Sequence, residues 1–391
     1  MTSHNDTASL MTQIDSFKAV EIGRLAIALQ DAGRDVIHME YGQPTAQPPK
    51  SVIDAVKQTL DVGVPGYWES QALRERLAAD YHERYGAKVS PEQIFLTCGA
   101  SPALTLALSS AFSPGETVAM ARPGYVAYRN TVKGLGLTAQ EIACGADTRF
   151  QLSLKAIQAL DPLPDGLIIA SPANPTGSII PAQDLREIVA FCDDKNIRVI
   201  SDEIYHRLSF EMETVSVSAL SSRAFIVNSF SKYFCMPGWR MGWLVVPDDM
   251  FDSANARLTN YFLTAPSLSQ KAALVALDET DYFDEVAKTY AQNRDLMLSR
   301  LPELGFGEIA PPDGAFYIYT NIGHWTQDSL SFCKTLLNDT GIATTPGLDF
   351  DPVNGHAFMR FSFPQSDREV KLALKQLEAW LKTKGYTAGK A

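Results

Sequence analysis

The chain has 391 residues, of which 46% are hydrophobic and 20% are charged, and its formal net charge is -11. This apolar content is sufficient for a large buried core, and the length favours two domains. The acidic balance disfavours binding to nucleic acid or to anionic membranes.

Cysteine use and the start of the chain indicate the cellular compartment. The five cysteines are scattered without a CxxC pair, which is typical of reduced thiols in the cytosol. Residues 1–10 lack the basic and apolar regions of a signal peptide. No apolar stretch approaches the roughly 20 residues that a membrane helix requires. We therefore expect a soluble cytoplasmic protein.

The first predicted element is a helix that begins after Asp15 or Ser16, either of which could cap it, and ends at Gly33. Its apolar face is expected to comprise Phe17, Val20, Leu25 and Leu29. A short strand over residues 36–39 follows and leads into a turn at Gly42-Gln43-Pro44.

From about residue 50 the chain alternates helices with short apolar strands. Strands are predicted over residues 94–97, 117–120, 167–170, 198–201, 225–228 and 242–246. Helices between them are predicted over residues 101–111, 183–196 and 249–262. Apolar strands flanked by helices predict an α/β fold with a mostly parallel sheet that is covered on both faces.

After about residue 280 the pattern changes to a smaller α+β part. Its predicted elements are helices over 282–301 and 367–382 and strands over 315–319 and 358–363. We interpret residues 46–280 as a large domain. Residues 1–45 and 281–391 are expected to form one small domain together.

The segment from Ser229 to Arg240 carries the strongest chemical signal. Lys232 follows an apolar run, and a lysine among apolar groups loses solvation, so that its neutral amine becomes accessible near physiological pH. A Schiff-base lysine needs such an amine. Ser229, Ser231 and Arg240 beside it would suit a dianion, and the phosphate of pyridoxal phosphate is the candidate.

Polar loops follow four of the predicted strands. These loops begin at Gly99-Ala100-Ser101, at Ser171, at Asp202 and at Ser229. In open α/β sheets, ligands collect at the carboxyl ends of the strands. The four loops therefore predict one site at one edge of the sheet.

The motifs in these loops resemble those of the class I/II pyridoxal-phosphate-dependent aminotransferases, the fold-type I family typified by aspartate aminotransferase. The motifs are Asn174-Pro175-Thr176-Gly177, Asp202-Glu203-Ile204-Tyr205, Ser229-Phe230-Ser231-Lys232 with Arg240, and Arg360-Phe361-Ser362-Phe363. The resemblance covers nearly the whole chain from Gly42. It implies a seven-stranded sheet between helices and transfer of an amino group from an L-amino acid to a 2-oxo acid.

The resemblance assigns Lys232 to the Schiff base with the cofactor and to the proton shift that follows. Asp202 is expected to pair with the protonated pyridine nitrogen, because an unpaired carboxylate after a buried strand is costly. Tyr205 and Asn174 are expected to donate hydrogen bonds to the phenolic oxygen of the cofactor. Lys232, Asp202 and Tyr205 are thus the predicted catalytic residues.

The remaining assignments concern the phosphate, the ring and the substrate. The phosphate is expected at a helix N-terminus, which carries partial positive charge. Its predicted neighbours are Gly99, Ala100, Ser101, Ser229, Ser231 and Arg240. Tyr125 matches the aromatic residue that stacks on the cofactor ring. Arg360, with Gly42 and Asn174, matches the site of the substrate α-carboxylate.

Tyr67 resembles the tyrosine that reaches the phosphate of a partner subunit, which implies a homodimer. The loop between Tyr67 and Leu73-Arg74-Glu75 is about three residues shorter than is usual in the family. We therefore do not expect this loop to make the substrate contacts that it makes in other members of the family.

Three other functions compete with transamination. The Ser229–Lys232 segment also fits the SxxK motif of acyl-serine enzymes, but the companion motifs are missing. An aminotransferase-like effector domain of a DNA-binding regulator fits poorly, since the resemblance begins about 40 residues from Met1. A β-eliminating lyase or a decarboxylase of the same fold would use the same motifs.

The chain leaves the donor and the acceptor open, and its six histidines show no metal-ligand spacing. Dicarboxylate-specific family members often use an added arginine from the partner subunit, and none is identifiable in this chain. An apolar pocket favouring neutral or aromatic donors is expected from Phe17, Trp68, Phe316 and Tyr317.

Overall fold

The computed structural model describes residues 14–386, and its centre is a seven-stranded sheet. The strands are β2 (Ile94–Thr97), β3 (Thr117–Arg122), β4 (Thr138–Ala143), β5 (Gly166–Ala170), β6 (Arg198–Asp202), β7 (Phe225–Ser229) and β8 (Gly242–Val245). Their spatial order is β2-β8-β7-β6-β5-β3-β4, and only β8 runs antiparallel to its neighbours. The predicted mostly parallel sheet is confirmed.

Strand β4 is the one member of this sheet that the sequence did not predict. It lies at the edge of the sheet and pairs only with β3. Half of its sequence, Thr-Ala-Gln-Glu-Ile-Ala, is polar, and only Ile142 is buried. An edge strand with one buried position has no apolar run, and the hydrophobic pattern therefore does not predict it.

Helices cover both faces of the sheet. They are α2 (Lys50–Val62), α3 (Gln71–Tyr85), α4 (Ala100–Ala111), α5 (Val126–Gly134), α6 (Leu154–Gln158), α7 (Ala182–Asp194), α8 (Phe251–Tyr261) and α9 (Ser267–Ala276). Alternate strand residues enter two separate cores: Ile168 and Ile200 pack with Leu104 of α4, whereas Leu167 and Val199 pack with Ile188 of α7. Burial on both faces explains why the strands are continuous apolar runs.

The C-terminal part forms a smaller α+β layer together with the N-terminal segment. Its helices are α1 (Lys18–Asp31), α10 (Thr280–Glu303), α11 (Ser329–Thr340) and α12 (Asp367–Lys384). Its strands are β1 (Ile37–His38), β9 (Tyr317–Asn321), β10 (Ile342–Ala343), β11 (Thr345–Pro346) and β12 (Phe358–Ser362). Strand β1 pairs with β10, which joins the two ends of the chain. The domain boundary at residues 45 and 280 stays a prediction.

The first helix departs from its predicted cap and apolar face. Neither Asp15 nor Ser16 caps it; the carboxylate of Asp349 accepts hydrogen bonds from the amides of Lys18 and Ala19, at 2.7 and 2.6 Å. Leu25 is 41% exposed, although Leu29 packs against the core as predicted. The buried face consists of Ala19, Ile22, Gly23 and Ala26. Small residues let the helix approach the C-terminal strands closely, so the larger leucine is left on the solvent side.

Within residues 14–386, none of the helices is both long and apolar enough to span a bilayer.

Candidate active site

The carboxyl ends of β5, β6 and β7 open into a cavity of about 390 Å³. Many of the predicted site residues line it: Gly42, Ala100, Ser101, Tyr125, Asn174, Asp202, Tyr205, Ser231, Lys232, Arg240 and Arg360. They come from separate loops of the central sheet and, in the cases of Gly42 and Arg360, from the smaller layer. The structure therefore brings together residues that are far apart in the sequence.

Lys232 lies between the two layers. Its ammonium group donates a hydrogen bond to the carbonyl of Gly42, and it lies 5.8 Å from the centre of the Tyr205 ring. Burial, together with the positive charge of Arg360, lowers the pKa of Lys232 to about 8. A substantial fraction of neutral amine is thus present near neutral pH, as a nucleophilic lysine requires.

Asp202 ends strand β6 with its carboxylate facing the cavity. Burial raises the pKa of Asp202 to about 6, while hydrogen bonds from Tyr128 and from the amide of Ile204 act in the opposite direction. The Tyr128 hydroxyl donates at 2.6 Å and the Ile204 amide at 3.2 Å. The Asp202 carboxylate can accept a further hydrogen bond beside these two. A cation such as a protonated ring nitrogen would balance its negative charge.

Tyr128 was missed by the sequence analysis. It stands one helical turn after Tyr125 at the start of α5, and this spacing was the only signal available. Its hydroxyl is 74 residues from Asp202 in the sequence. A buried tyrosine is common in protein cores, so its role at the site depends on this tertiary hydrogen bond.

Tyr205 meets a second tyrosine at the cavity wall. The hydroxyls of Tyr205 and Tyr317 are 2.6 Å apart, and burial together with Tyr317 raises the pKa of Tyr205 well above its ordinary value. Tyr317 also explains Gly42: a Cβ on that glycine would lie 1.9 Å from the Tyr317 hydroxyl oxygen. Residue 42 must therefore lack a side chain.

Arg360 is a buried cation with incomplete partners. Its side chain is 3% exposed, and it donates to the Asn174 side-chain oxygen at 2.8 Å, to the Thr345 hydroxyl at 3.0 Å and to the Glu40 carbonyl. Its Nε is buried without a hydrogen-bond partner in residues 14–386. No carboxylate of these residues forms an ion pair with it, and the rings of Tyr317 and Phe350 flank it. An anion is needed to complete this site.

A second cationic region lies where helix α4 begins. Gly99 has φ of 95°, and a Cβ on it would lie 2.3 Å from Nη2 of Arg240. Arg240 donates to the carbonyls of Pro237 and Cys98, at 2.9 and 3.1 Å. The Ser231 hydroxyl contacts the Ser229 hydroxyl at 2.8 Å. The helix N-terminus, the guanidinium and these hydroxyls form a cup that suits a phosphate.

Several predicted residues lie outside the cavity. Ser229 donates to the Met241 carbonyl at 2.9 Å and supports Ser231 instead of lining the wall. Gly99 acts through its backbone, next to Arg240. Tyr67 is 87% exposed.

Among the expected pocket aromatics, Phe17 and Tyr317 line the cavity, but Trp68 contacts Lys271 and Phe316 packs behind Tyr205. Trp68 and Phe316 thus lie outside the cavity wall that this chain forms, since the local sequence does not show which way an aromatic side chain points.

Comparison with known proteins identifies the family. The model for aminotransferases of class I and II matches residues 34–377. The valine–pyruvate aminotransferase of Mycobacterium tuberculosis is 39% identical over 383 residues, covering 96% of this chain and 99% of that protein. The chain belongs to the class I and II aminotransferase family.

Solved structures agree with this assignment. A crystal structure of an aminotransferase from Mycobacterium tuberculosis aligns with a TM-score of 0.92 at 38% identity, covering 95% of this chain and 98% of that one. The aspartate aminotransferase of Thermus thermophilus with maleate aligns with a TM-score of 0.88 at 26% identity, covering 95% and 98%. The protein is a pyridoxal-phosphate-dependent transaminase that acts on an amino acid and a 2-oxo acid.

The residues at the cavity fit pyridoxal phosphate. The cup around Arg240 offers donors and positive charge for its phosphate, and Asp202 offers a buried carboxylate for its ring nitrogen. Lys232 supplies the amine, and Tyr125 offers an aromatic ring at the same wall. In the part of the chain that the structure describes, no group of acidic, histidine or cysteine residues could hold a metal ion.

Proposed function

We propose that this aminotransferase takes its amino group from a neutral L-amino acid with an apolar side chain and passes it to a 2-oxo acid. The observation that carries the proposal is the number of cations at the cavity. Lys232, Arg240 and Arg360 are the only ones among the residues of the described chain that line it. Each has a task that every donor requires, so none remains for an acidic side chain.

Arg360 is proposed to bind the α-carboxylate. Its Nε lacks a partner, and a carboxylate would satisfy a buried guanidinium in a two-pronged geometry. Asn174 supports this role, since its side-chain oxygen already accepts from Arg360 at 2.8 Å. The amide NH₂ of Asn174 is then oriented to donate elsewhere, toward the ring oxygen of the cofactor together with Tyr205.

Apolar side chains support the choice of a neutral donor. Phe17, Val20 and Phe350 line the cavity beside Arg360, and the ring of Phe350 lies 4.8 Å from the Arg360 guanidinium carbon. Glu40 and Asp202, the acidic residues that line the cavity, provide no positive charge for an acidic side chain. The relative that is 39% identical is named for valine and pyruvate, whereas the aspartate aminotransferases among the relatives are 27–30% identical.

Bound pyridoxal phosphate supplies a carbonyl that condenses with amines and a ring that delocalises the electron pair left at Cα. Lys232 is proposed to accept the Cα proton and to return it, because its lowered pKa makes the neutral amine available. Asp202 is proposed to hold the ring nitrogen protonated. Ser101, Ser231 and Arg240 are proposed to hold the phosphate, while Tyr125 stacks on the ring.

A homodimer is proposed to complete the site. Exposed apolar side chains cluster around the Tyr67 loop and the end of α8: Leu60, Val62, Val64, Tyr67, Tyr261 and Leu263. The loop lies against residues 264–270, since Thr264 and Gln270 donate to the Trp68 carbonyl at 3.1 and 2.9 Å. A second copy is the occupant that suits this patch, because Tyr67 then reaches the partner's phosphate as the family resemblance implies.

Two variants test the dimer. Val62→Glu places a charge in the patch and is expected to give a monomer in sedimentation experiments. Tyr67→Phe is expected to stay dimeric but to bind the cofactor about tenfold more weakly, since a hydrogen bond to a charged group is worth about 1.5 kcal/mol. A Val62→Glu variant that remains dimeric would refute this interface.

The donor is tested by single-turnover spectroscopy of the loaded enzyme with a panel of amino acids. Valine, leucine and phenylalanine are expected to convert the cofactor to its amine form faster than aspartate and glutamate at equal concentration. Faster conversion by either acidic donor would refute the proposed donor class. The Arg360→Ala variant serves as a control that should be slow with every donor.

A further inference from the structure

Residues 14–17 cross the mouth of the cavity between helices α1 and α5. Helix α1 packs on β10 and β11 of the smaller layer, whereas α5 packs on β3 and β4 of the central sheet. The crossing segment forms neither helix nor strand. Side-chain contacts at its two ends therefore hold it over the cavity.

At one end, Asp15 and Asn130 exchange two hydrogen bonds. The Asn130 side-chain NH₂ donates to the Asp15 carbonyl at 2.9 Å, and the Asp15 amide donates to the Asn130 side-chain oxygen at 3.4 Å. A carboxamide can pair with a peptide group in this way because it carries one acceptor and a donor side by side. Next to this pair, Ile14 lies over Gly134, whose missing Cβ would be 3.3 Å from the Ile14 Cδ1.

At the other end, the buried carboxylate of Asp349 binds the amides of Lys18 and Ala19. Between the two ends, the ring of Phe17 meets the ring of Tyr125 edge to face at 5.7 Å, and both rings line the cavity. Phe17 is therefore held as part of the wall from both sides of the mouth.

The two ends differ in strength. The Asp349 end is buried and charge-assisted, whereas the Asp15–Asn130 pair is exposed and neutral. Hydrogen bonds to ionised acceptors are about twice as strong as neutral ones. The hydrogen bonds at the Asn130 end therefore break more readily. Their stability sets the fraction of time for which Phe17 lies in the cavity wall.

We propose that Asn130 is a positioning residue that latches residues 14–17 across the cavity, and that Phe17 held in this way contacts the side chain of the amino-acid donor. This inference rests on the donor class proposed above. A large apolar side chain gains from contact with Phe17, whereas the methyl group of alanine gains little. Asn130 thus favours large apolar donors without touching them.

Steady-state kinetics of the loaded enzyme test the latch. In Asn130→Ala, kcat/KM for leucine is expected to fall about fivefold, equivalent to about 1 kcal/mol at 1.36 kcal/mol per tenfold, and kcat/KM for alanine is expected to change less than twofold. Asn130→Asp keeps the acceptor and the size but loses the donor, and should behave as Asn130→Ala does. The exposed Asn338→Ala on α11 is the matched control and should match the wild type.

Hydrogen exchange of the loaded enzyme provides a readout that does not depend on turnover. Peptides that cover residues 14–20 are expected to exchange several-fold faster in Asn130→Ala than in the wild type or in Asn338→Ala. Unchanged exchange in this segment would refute the latch, whatever the kinetics show.

A double-mutant cycle tests whether Asn130 acts through Phe17. Phe17→Ala should lower kcat/KM for leucine more than Asn130→Ala does, and adding Asn130→Ala to Phe17→Ala should have almost no further effect. Additive effects would refute the coupling.

The kinetics also separate the latch from the donor class. A wild-type enzyme that prefers leucine to aspartate, with kcat/KM for leucine unchanged in Asn130→Ala, refutes the latch alone. A wild type that prefers aspartate refutes the donor class, and the latch with it.

Discussion

Replacing Asp202 by asparagine should stabilise the cofactor-free protein while it abolishes most of its activity. Asp202 is 8% exposed, and burial raises its pKa from 3.8 to about 6. A shift of about 2 units corresponds to about 3 kcal/mol at 1.36 kcal/mol per unit. The fold therefore holds this carboxylate ionised at a cost of that order until a cation arrives to pair with it.

The sign of the pH dependence follows from the direction of the shift. Because the folded pKa lies above the unfolded one, the cost is complete above about pH 7, where Asp202 is ionised in both states, and it vanishes as the pH falls below 3.8. In the variant, the asparagine oxygen still accepts from Tyr128. The asparagine NH₂ then faces the Ile204 amide, which is also a donor, so that hydrogen bond is lost at a cost of about 1 kcal/mol. The expected net gain is about 2 kcal/mol at pH 8 and close to zero at pH 4.5.

The assay is urea unfolding of the cofactor-free wild type and of Asp202→Asn at both pH values, with transaminase activity measured on the loaded proteins. Activity should fall at least about 100-fold, since removing one partner of a buried ion pair costs about 3–5 kcal/mol. Asp278→Asn, which removes an exposed carboxylate, is the matched control and should change stability by less than about 0.5 kcal/mol at either pH. An Asp202→Asn protein that is less stable than the wild type at pH 8 would contradict the argument.

Three further predictions concern the other residues at the cavity. Arg360→Lys should raise the KM for amino acids about 30-fold or more in steady-state assays, because a lysine cannot reproduce the two-pronged geometry, and an unchanged KM would contradict its proposed role. Tyr128→Phe should raise the pKa of Asp202, since the tyrosine hydrogen bond lowers it. It should also slow transamination severalfold, and a stopped-flow comparison that shows equal rates would refute this. In the cofactor-free protein, acylation of Lys232 followed by mass spectrometry should rise with pH around a midpoint near 8, where an unshifted lysine would give 10.5.

The strands and the loops at their carboxyl ends could be predicted because the information is local. Each central strand of the sheet is an apolar run buried on both faces, and each is followed by polar residues that the fold places at the same edge. Lys232, Asp202, Tyr205 and Asn174 lie in these loops, where the family resemblance assigned their roles, and all of them line the cavity.

The features that were missed depend on contacts between distant parts of the chain. The hydroxyls of Tyr205 and Tyr317 are 112 residues apart in sequence, and Asp349 caps a helix that begins 331 residues before it. Neither contact leaves a periodic pattern that could be read from the sequence. Strand β4 was missed for the opposite reason: its pairing is local, but an edge strand with a single buried position carries no hydrophobic signal.

Reductive trapping of the loaded enzyme tests the central claim most directly. Borohydride treatment, digestion and mass spectrometry should locate the cofactor on the side chain of Lys232, and Lys232→Ala should show neither the adduct nor transamination. A reduced cofactor attached to another lysine, or wild-type turnover in Lys232→Ala, would contradict the account of this site.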